Sequence, residues 1–123
     1  MILAIEQATL KPFAWGVHDC CLFAADVVLA MTGIDYASGF RGVYNTKAGA
    51  MALLGMRTLH DVLKERLGEP IPWQFAQRGD VVLVTVAGAG MVGVCTGSEA
   101  AFVMELGITM YPMRVVDHAW RVN

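Results

Sequence analysis

The spacing of apolar residues changes once along the chain, close to residue 73. Upstream, apolar positions recur at helical intervals. Residues 2–10 predict a short helix that Pro12 ends, because a proline restricts the residue before it and cannot continue a helix. Phe13 to His18 reads as a loop. Asp19 then stands where an N-cap belongs, and Cys20 to Met31 predicts a helix closed by Gly33. That helix is apolar almost all round, Asp26 excepted, so it is expected at the centre of a domain, covered on most sides. Residues 35–45, with Gly39, Gly42 and Asn45, read as a loop. Thr46 is placed to cap a helix over 47–54. Thr58 is placed to cap a second over Leu59 to Leu67, stopped by Gly68 and Pro70. In that second helix Leu59, Val62, Leu63 and Leu67 form one apolar stripe with His60 on its solvent side.

Downstream the runs are short and divided by turn residues. Gly79-Asp80 is a turn into a buried strand, Val81 to Val86. Gly88-Ala89-Gly90 reads as a second turn, Met91 to Thr96 as a strand and Ala101 to Leu106 as another. Residues 108–111 and 114–121 complete the set. Helices first and an antiparallel sheet second is an α+β pattern, and residues 1–123 are read as a single domain with no internal repeat.

Composition sharpens this picture. Of the 123 residues, 56% are hydrophobic and 16% charged, against about 25% charged in an ordinary soluble domain. Either a dense core or a surface hidden in an assembly accounts for so few charges, and the eight methionines suit both. The net charge is −2, and the nine lysines and arginines are scattered, which argues against nucleic-acid binding. Glu6 interrupts the first apolar run, so no secretory leader is expected. The stretch Val81 to Cys95 is too short and too glycine-rich for a membrane span, and no membrane insertion is expected.

Three cysteines, Cys20, Cys21 and Cys95, make a disulfide framework improbable and free thiols the expectation. No cysteine or histidine spacing suggests a metal site, and no cofactor is called for. Cys20 is different in kind from the other two. As the first residue of a helix it meets unpaired N–H groups and the positive end of the helix dipole, which favour a nucleophilic thiolate. A small buried apolar residue, the usual fate of a free cysteine, stays open as the alternative. Cys21 and Cys95 read as packing residues, and Trp73 and Trp120 as core or interface anchors. Asp26, a carboxylate in an apolar helix, needs a partner, and Arg41 on the following loop is the candidate, pinning that loop to the helix.

The string Trp15-Gly16-Val17-His18-Asp19-Cys20, followed by an apolar helix and a glycine, resembles the nucleophile motif of NlpC-type, papain-like cell-wall cysteine peptidases. Arg78-Gly79-Asp80-Val81-Val82-Leu83-Val84 resembles their second signature, and Met91-Val92-Gly93-Val94-Cys95-Thr96-Gly97 is similar to the strand that follows their hairpin. The resemblance implies a papain-like fold in which the helix bearing Cys20 packs on a sheet. It also implies cysteine acyl transfer on the peptide stem of peptidoglycan. Three positions depart from the pattern. The base that active members place at the start of that strand is Met91 here, which cannot carry a proton. The usual tyrosine before the Trp-Gly pair is Phe13. The third polar residue has no counterpart on the next strand except Glu105. Two histidines are candidate substitute bases: His18 on the approach loop and His118 on the last predicted strand.

A narrower resemblance covers nearly the whole chain. Pro12-Phe13-x-Trp15-Gly16-x-x-Asp19-Cys20, Ala24-Ala25-Asp26, Thr32-Gly33-x-Asp35, Arg41-Gly42-x-Tyr44 and Val92-Gly93-Val94-Cys95 are similar to short single-domain proteins that tailed bacteriophages encode among their tail genes. This implies a virion protein, made in the host cytoplasm and carried near the tail tip. Its expected partners are other tail-tip or hub proteins, with bacterial peptidoglycan as substrate if Cys20 is active. The alternative is a structural tail-tip subunit that has lost catalysis.

Overall fold

The computed structural model describes residues 1–86 and 89–122. Among the described residues four α-helices precede a sheet, as the change of period predicts: α1 (Ile2–Thr9), α2 (Cys20–Thr32), α3 (Lys47–Leu54) and α4 (Leu59–Leu67). Their ends follow from local chemistry. Asp19, Thr46 and Thr58 each accept a backbone N–H of the first turn, and Gly33 closes α2 at φ 78°, a left-handed conformation that costs glycine least. At α4 the cap is reciprocal, since Asp61 also accepts the N–H of Thr58.

Five antiparallel strands follow, β1 (Val81–Val86), β2 (Ala89–Cys95), β3 (Glu99–Met104), β4 (Gly107–Pro112) and β5 (His118–Trp120), in the spatial order β4-β3-β2-β1-β5. Most strand boundaries fall within two residues of the sequence reading, and three differences bear on the fold. Ala89 and Gly90, expected in a turn, already belong to β2, while Gly88 lies outside the described residues. β3 begins two residues early, at Glu99. The last predicted strand shrinks to three residues, because Pro112 leads into a 3₁₀ turn over Met113–Val115.

Directly paired residues of antiparallel strands share a face. One face therefore carries Val81, Leu83, Val92, Val94, Ala101, Val103 and Trp120, and α2 lies across it with Leu22, Phe23, Ala24, Ala25, Val27 and Val28 buried. Each large side chain so buried contributes about 1.5–3 kcal/mol. The opposite face carries Val82, Val84, Cys95, Ala100, Phe102 and Ala119, covered by Ile71, Trp73 and Met113. Gly93 is required there for space. A Cβ on it would come within 2.5 Å of the Ala101 oxygen and the Phe102 ring. Beside it, β2 and β3 pair at only two positions, Val94 with Ala101 and Cys95 with Ala100, whereas β1 and β2 pair at six.

Asp80, 2% exposed, ties the Gly-Asp turn to the far end of the chain. It accepts the N–H groups of Gln77 at 2.8 Å and Val122 at 3.3 Å, and the Arg121 guanidinium at 3.2 Å. No helix among the described residues is long and apolar enough to cross a membrane.

Candidate functional site

The first turn of α2 is built around a buried carboxylate. Asp19 is 1% exposed. Its Oδ1 accepts the N–H of Leu22 at 3.0 Å, and its Oδ2 accepts the N–H of Gly16 at 3.0 Å and the hydroxyl of Tyr44 at 2.5 Å. Three donors compensate the cost of burying the charge. Gly16 makes the approach possible. It holds φ at 81°, and a Cβ there would lie 1.8 Å from the Tyr44 carbonyl oxygen. Its own carbonyl accepts the N–H of Gly42 at 2.8 Å. Trp15-Gly16-x-x-Asp19-Cys20 and Arg41-Gly42-x-Tyr44 are thus two halves of one clamp. Arg41 fixes the second half, pairing with Asp26 of α2 at 2.8 Å, as the sequence reading expects, and also with Asp35 at 2.9 Å.

Cys20, Cys21 and Cys95 are free thiols, and Cys20 is half-buried at the head of α2. Its thiol is lowered below the ordinary value, chiefly by a hydrogen bond with the Cys21 thiol. Burial opposes this, the Val92 backbone of β2 adds to it, and the charge of Asp19 works against it. Cys21, read from the sequence as packing alone, takes the complementary part. The adjoining Cys20 thiol and burial push Cys21 well up, so it keeps its proton. Tyr36 donates to the Cys21 carbonyl at 3.1 Å. The arrangement supports a thiolate at position 20, as helix N-termini do.

The space behind Cys21, lined by Tyr36, Phe40, Tyr44, Leu54 and Leu63, is about 70 Å³, far below the ~300 Å³ at which ligand pockets begin. A larger hollow of about 300 Å³ is lined by Trp73, Ser98, Met113 and Arg114 and does not include Cys20. Among the described residues no group of three or more His, Cys, Asp or Glu is placed to hold a metal ion.

The candidate bases lie elsewhere. His18 is 2% exposed, its Nε2 is hydrogen-bonded to the Ala8 carbonyl at 3.1 Å, and its buried Nδ1 has no partner among the described residues. It ties the approach loop to the end of α1. His118 does face the α2 side of the sheet, in one row with Leu83 and Val92. Two strand spacings, about 10 Å of backbone, separate it from Val92, and its ring is turned onto His60 and Trp120, 4.5 Å and 6.2 Å away between centroids. His60 is therefore not on the solvent side of its helix. The head of α4 abuts β5, and His60 is half-buried between His118 and Trp120. Met91 pairs with Val84 and packs with the cluster on the opposite face, so its side chain points away from α2, and Val92 is the residue that faces it. Glu105 stands on the exposed turn after β3. The groups that shift the Cys20 thiol are Cys21, Asp19 and the Val92 backbone, while His18 is bonded to the Ala8 carbonyl and His118 is turned onto His60 and Trp120.

Tyr44 and the pairing of Cys21 with Cys20 are the site features that the sequence reading did not assign. The string Arg41-Gly42-x-Tyr44 was visible, but no local rule joins it to a carboxylate 25 residues earlier. A family model described as a domain of unknown function (DUF6950) matches residues 2–122. No curated protein matches the chain.

Proposed function

Taking as premise that the chain belongs to the DUF6950 family, we propose that it is a bacteriophage tail-tip-associated protein of peptidase descent, built on an NlpC-type, papain-like fold and working at the cell wall during DNA entry. The observation that carries the peptidase descent is the head of α2, while the tail-tip part rests on the whole-chain resemblance of motifs such as Trp15-Gly16-x-x-Asp19-Cys20 and Arg41-Gly42-x-Tyr44. A cysteine with a lowered thiol begins the helix, a buried Asp19 caps it, and the helix crosses an antiparallel sheet. The Gly79-Asp80 turn into β1 supports it further, because Asp80 fixes the turn from which the sheet starts. The missing base favours a role in the tail tip that does not depend on hydrolysis by the chain alone. A general acid or base typically supplies about 10²–10⁴-fold in such a reaction, and both candidate histidines are engaged elsewhere, His18 by the Ala8 carbonyl and His118 by His60 and Trp120.

Immunogold labelling of intact particles encoded with this gene tests the proposal. Label at the tail tip is the expected result, and particles that lack the protein overturn it. A second reading, peptidoglycan hydrolysis by Cys20, is favoured by the lowered thiol, a shift in the direction such a nucleophile needs.

A further inference from the structure

We infer that Tyr44 is a positioning residue for the Cys20 thiol, acting through the carboxylate of Asp19. The inference rests on the reading of Cys20 as the reactive centre. Tyr44 reaches the site from a loop 25 residues downstream and donates its hydroxyl to Asp19 Oδ2 at 2.5 Å. Its own backbone carbonyl abuts Gly16, so the phenol and the approach loop are set in place together. The same carboxylate holds the Leu22 N–H, one turn into the helix that Cys20 begins. Three elements therefore meet on one buried charge, and that charge adjoins the thiol.

The electrostatic consequence has a definite sign. The titratable neighbours of Cys20 are Asp19 and Cys21 beside it, with Tyr36 and Tyr44 from the 35–45 loop, while β2 contributes only the Val92 backbone. Asp19 opposes the thiolate through its negative charge. A phenol donating to Oδ2 draws that charge toward itself and holds the carboxylate on the loop side. Burial and the bond to Asp19 push the Tyr44 phenol far up, so it remains a donor at every working pH. Without the hydroxyl, Oδ2 keeps only the Gly16 N–H, and the thiolate faces a less compensated anion.

The test is the pH profile of Cys20 alkylation by iodoacetamide, with the modified residue located by fragment-ion mass spectrometry. It is run on the wild type, Tyr44→Phe, Asp19→Asn and a remote control, Tyr111→Phe. Tyr44→Phe is expected to move the midpoint to higher pH and to slow alkylation at pH 7 by roughly 3–10-fold. Asp19→Asn removes the charge while keeping an acceptor, and is expected to move the midpoint the other way. Thermal melts run alongside. A Tyr44→Phe protein that melts lower yet keeps the wild-type profile shows Tyr44 to be a strut only and overturns the inference. Should Tyr44→Phe not fold, Asp19→Asn decides, and a midpoint unchanged or raised overturns it. Because no substrate is involved, the tail-tip reading can fail independently. A wild-type Cys20 that reacts no faster than an ordinary thiol counts instead against its reading as the reactive centre.

Discussion

The loop that leads into α2 and the strand that faces it treat polar chemistry in opposite ways. On the loop side a carboxylate is almost fully buried and every contact it makes is satisfied, by Gly16, Leu22 and Tyr44. On the strand side, β2 offers Cys20 a backbone and Val92, while the residue in the expected base position, Met91, points through the sheet to the other face. The loop side resembles a preorganised nucleophile mount. The strand side resembles ordinary core. Ionisation of a thiol can thus be favoured from the loop side while position 91 of the facing strand supplies no proton-transfer partner, because the two tasks fall to different elements.

The comparison predicts unequal sensitivity to substitution. Gly16→Ala has the largest expected effect, since its Cβ meets the Tyr44 carbonyl at 1.8 Å at a positive φ. A loss of roughly 3–5 kcal/mol in urea unfolding is expected. Asp19→Ala removes the cap and orphans the Tyr44 hydroxyl and the Gly16 N–H, with an expected loss of about 2–4 kcal/mol. Arg41→Met cuts the ties to Asp26 and Asp35, which are about one-third exposed, and is expected to cost about 1 kcal/mol. Its pH dependence adds a sign. The hydrogen bond from Arg41 holds the Asp35 carboxyl below its ordinary value. That stability is therefore full above the ordinary carboxylate range and is lost as pH falls through the lowered value. Acid titration of Arg41→Met should show less of this loss than the wild type. Met91→His has the smallest expected effect, with Cys20 alkylation staying within about twofold of wild type, because the side chain lies on the wrong face. A large acceleration there would show that β2 presents position 91 to the thiol and would break the comparison.

The loop side was largely legible in the sequence because its rules are local. Asp19, Thr46 and Thr58 as caps and Gly33 as a stop follow from the needs of helix ends, and the Asp26–Arg41 pair follows from a buried charge needing a partner. The Tyr44 contact was not legible, because it spans 25 residues and only the folded loop supplies the distance. On the strand side the failure was one of face. Alignment on Val92-Gly93-Val94 locates Met91 along β2, but the side to which it points depends on α2 choosing the face of Val92 and Val94. The burial of His60 is hidden from the sequence for a related reason. A helical stripe defines the buried face of α4 but not what its end abuts.

The most direct test of the central claim, a prepared thiol without a base, is digestion of purified peptidoglycan by the isolated protein beside Cys20→Ala, with soluble muropeptides followed by mass spectrometry. The account predicts equal, background release from both, although Cys20 in the wild type alkylates readily. New peptide ends that appear with the wild type and vanish in Cys20→Ala would contradict it and establish a cysteine hydrolase with a base that the strand side does not supply.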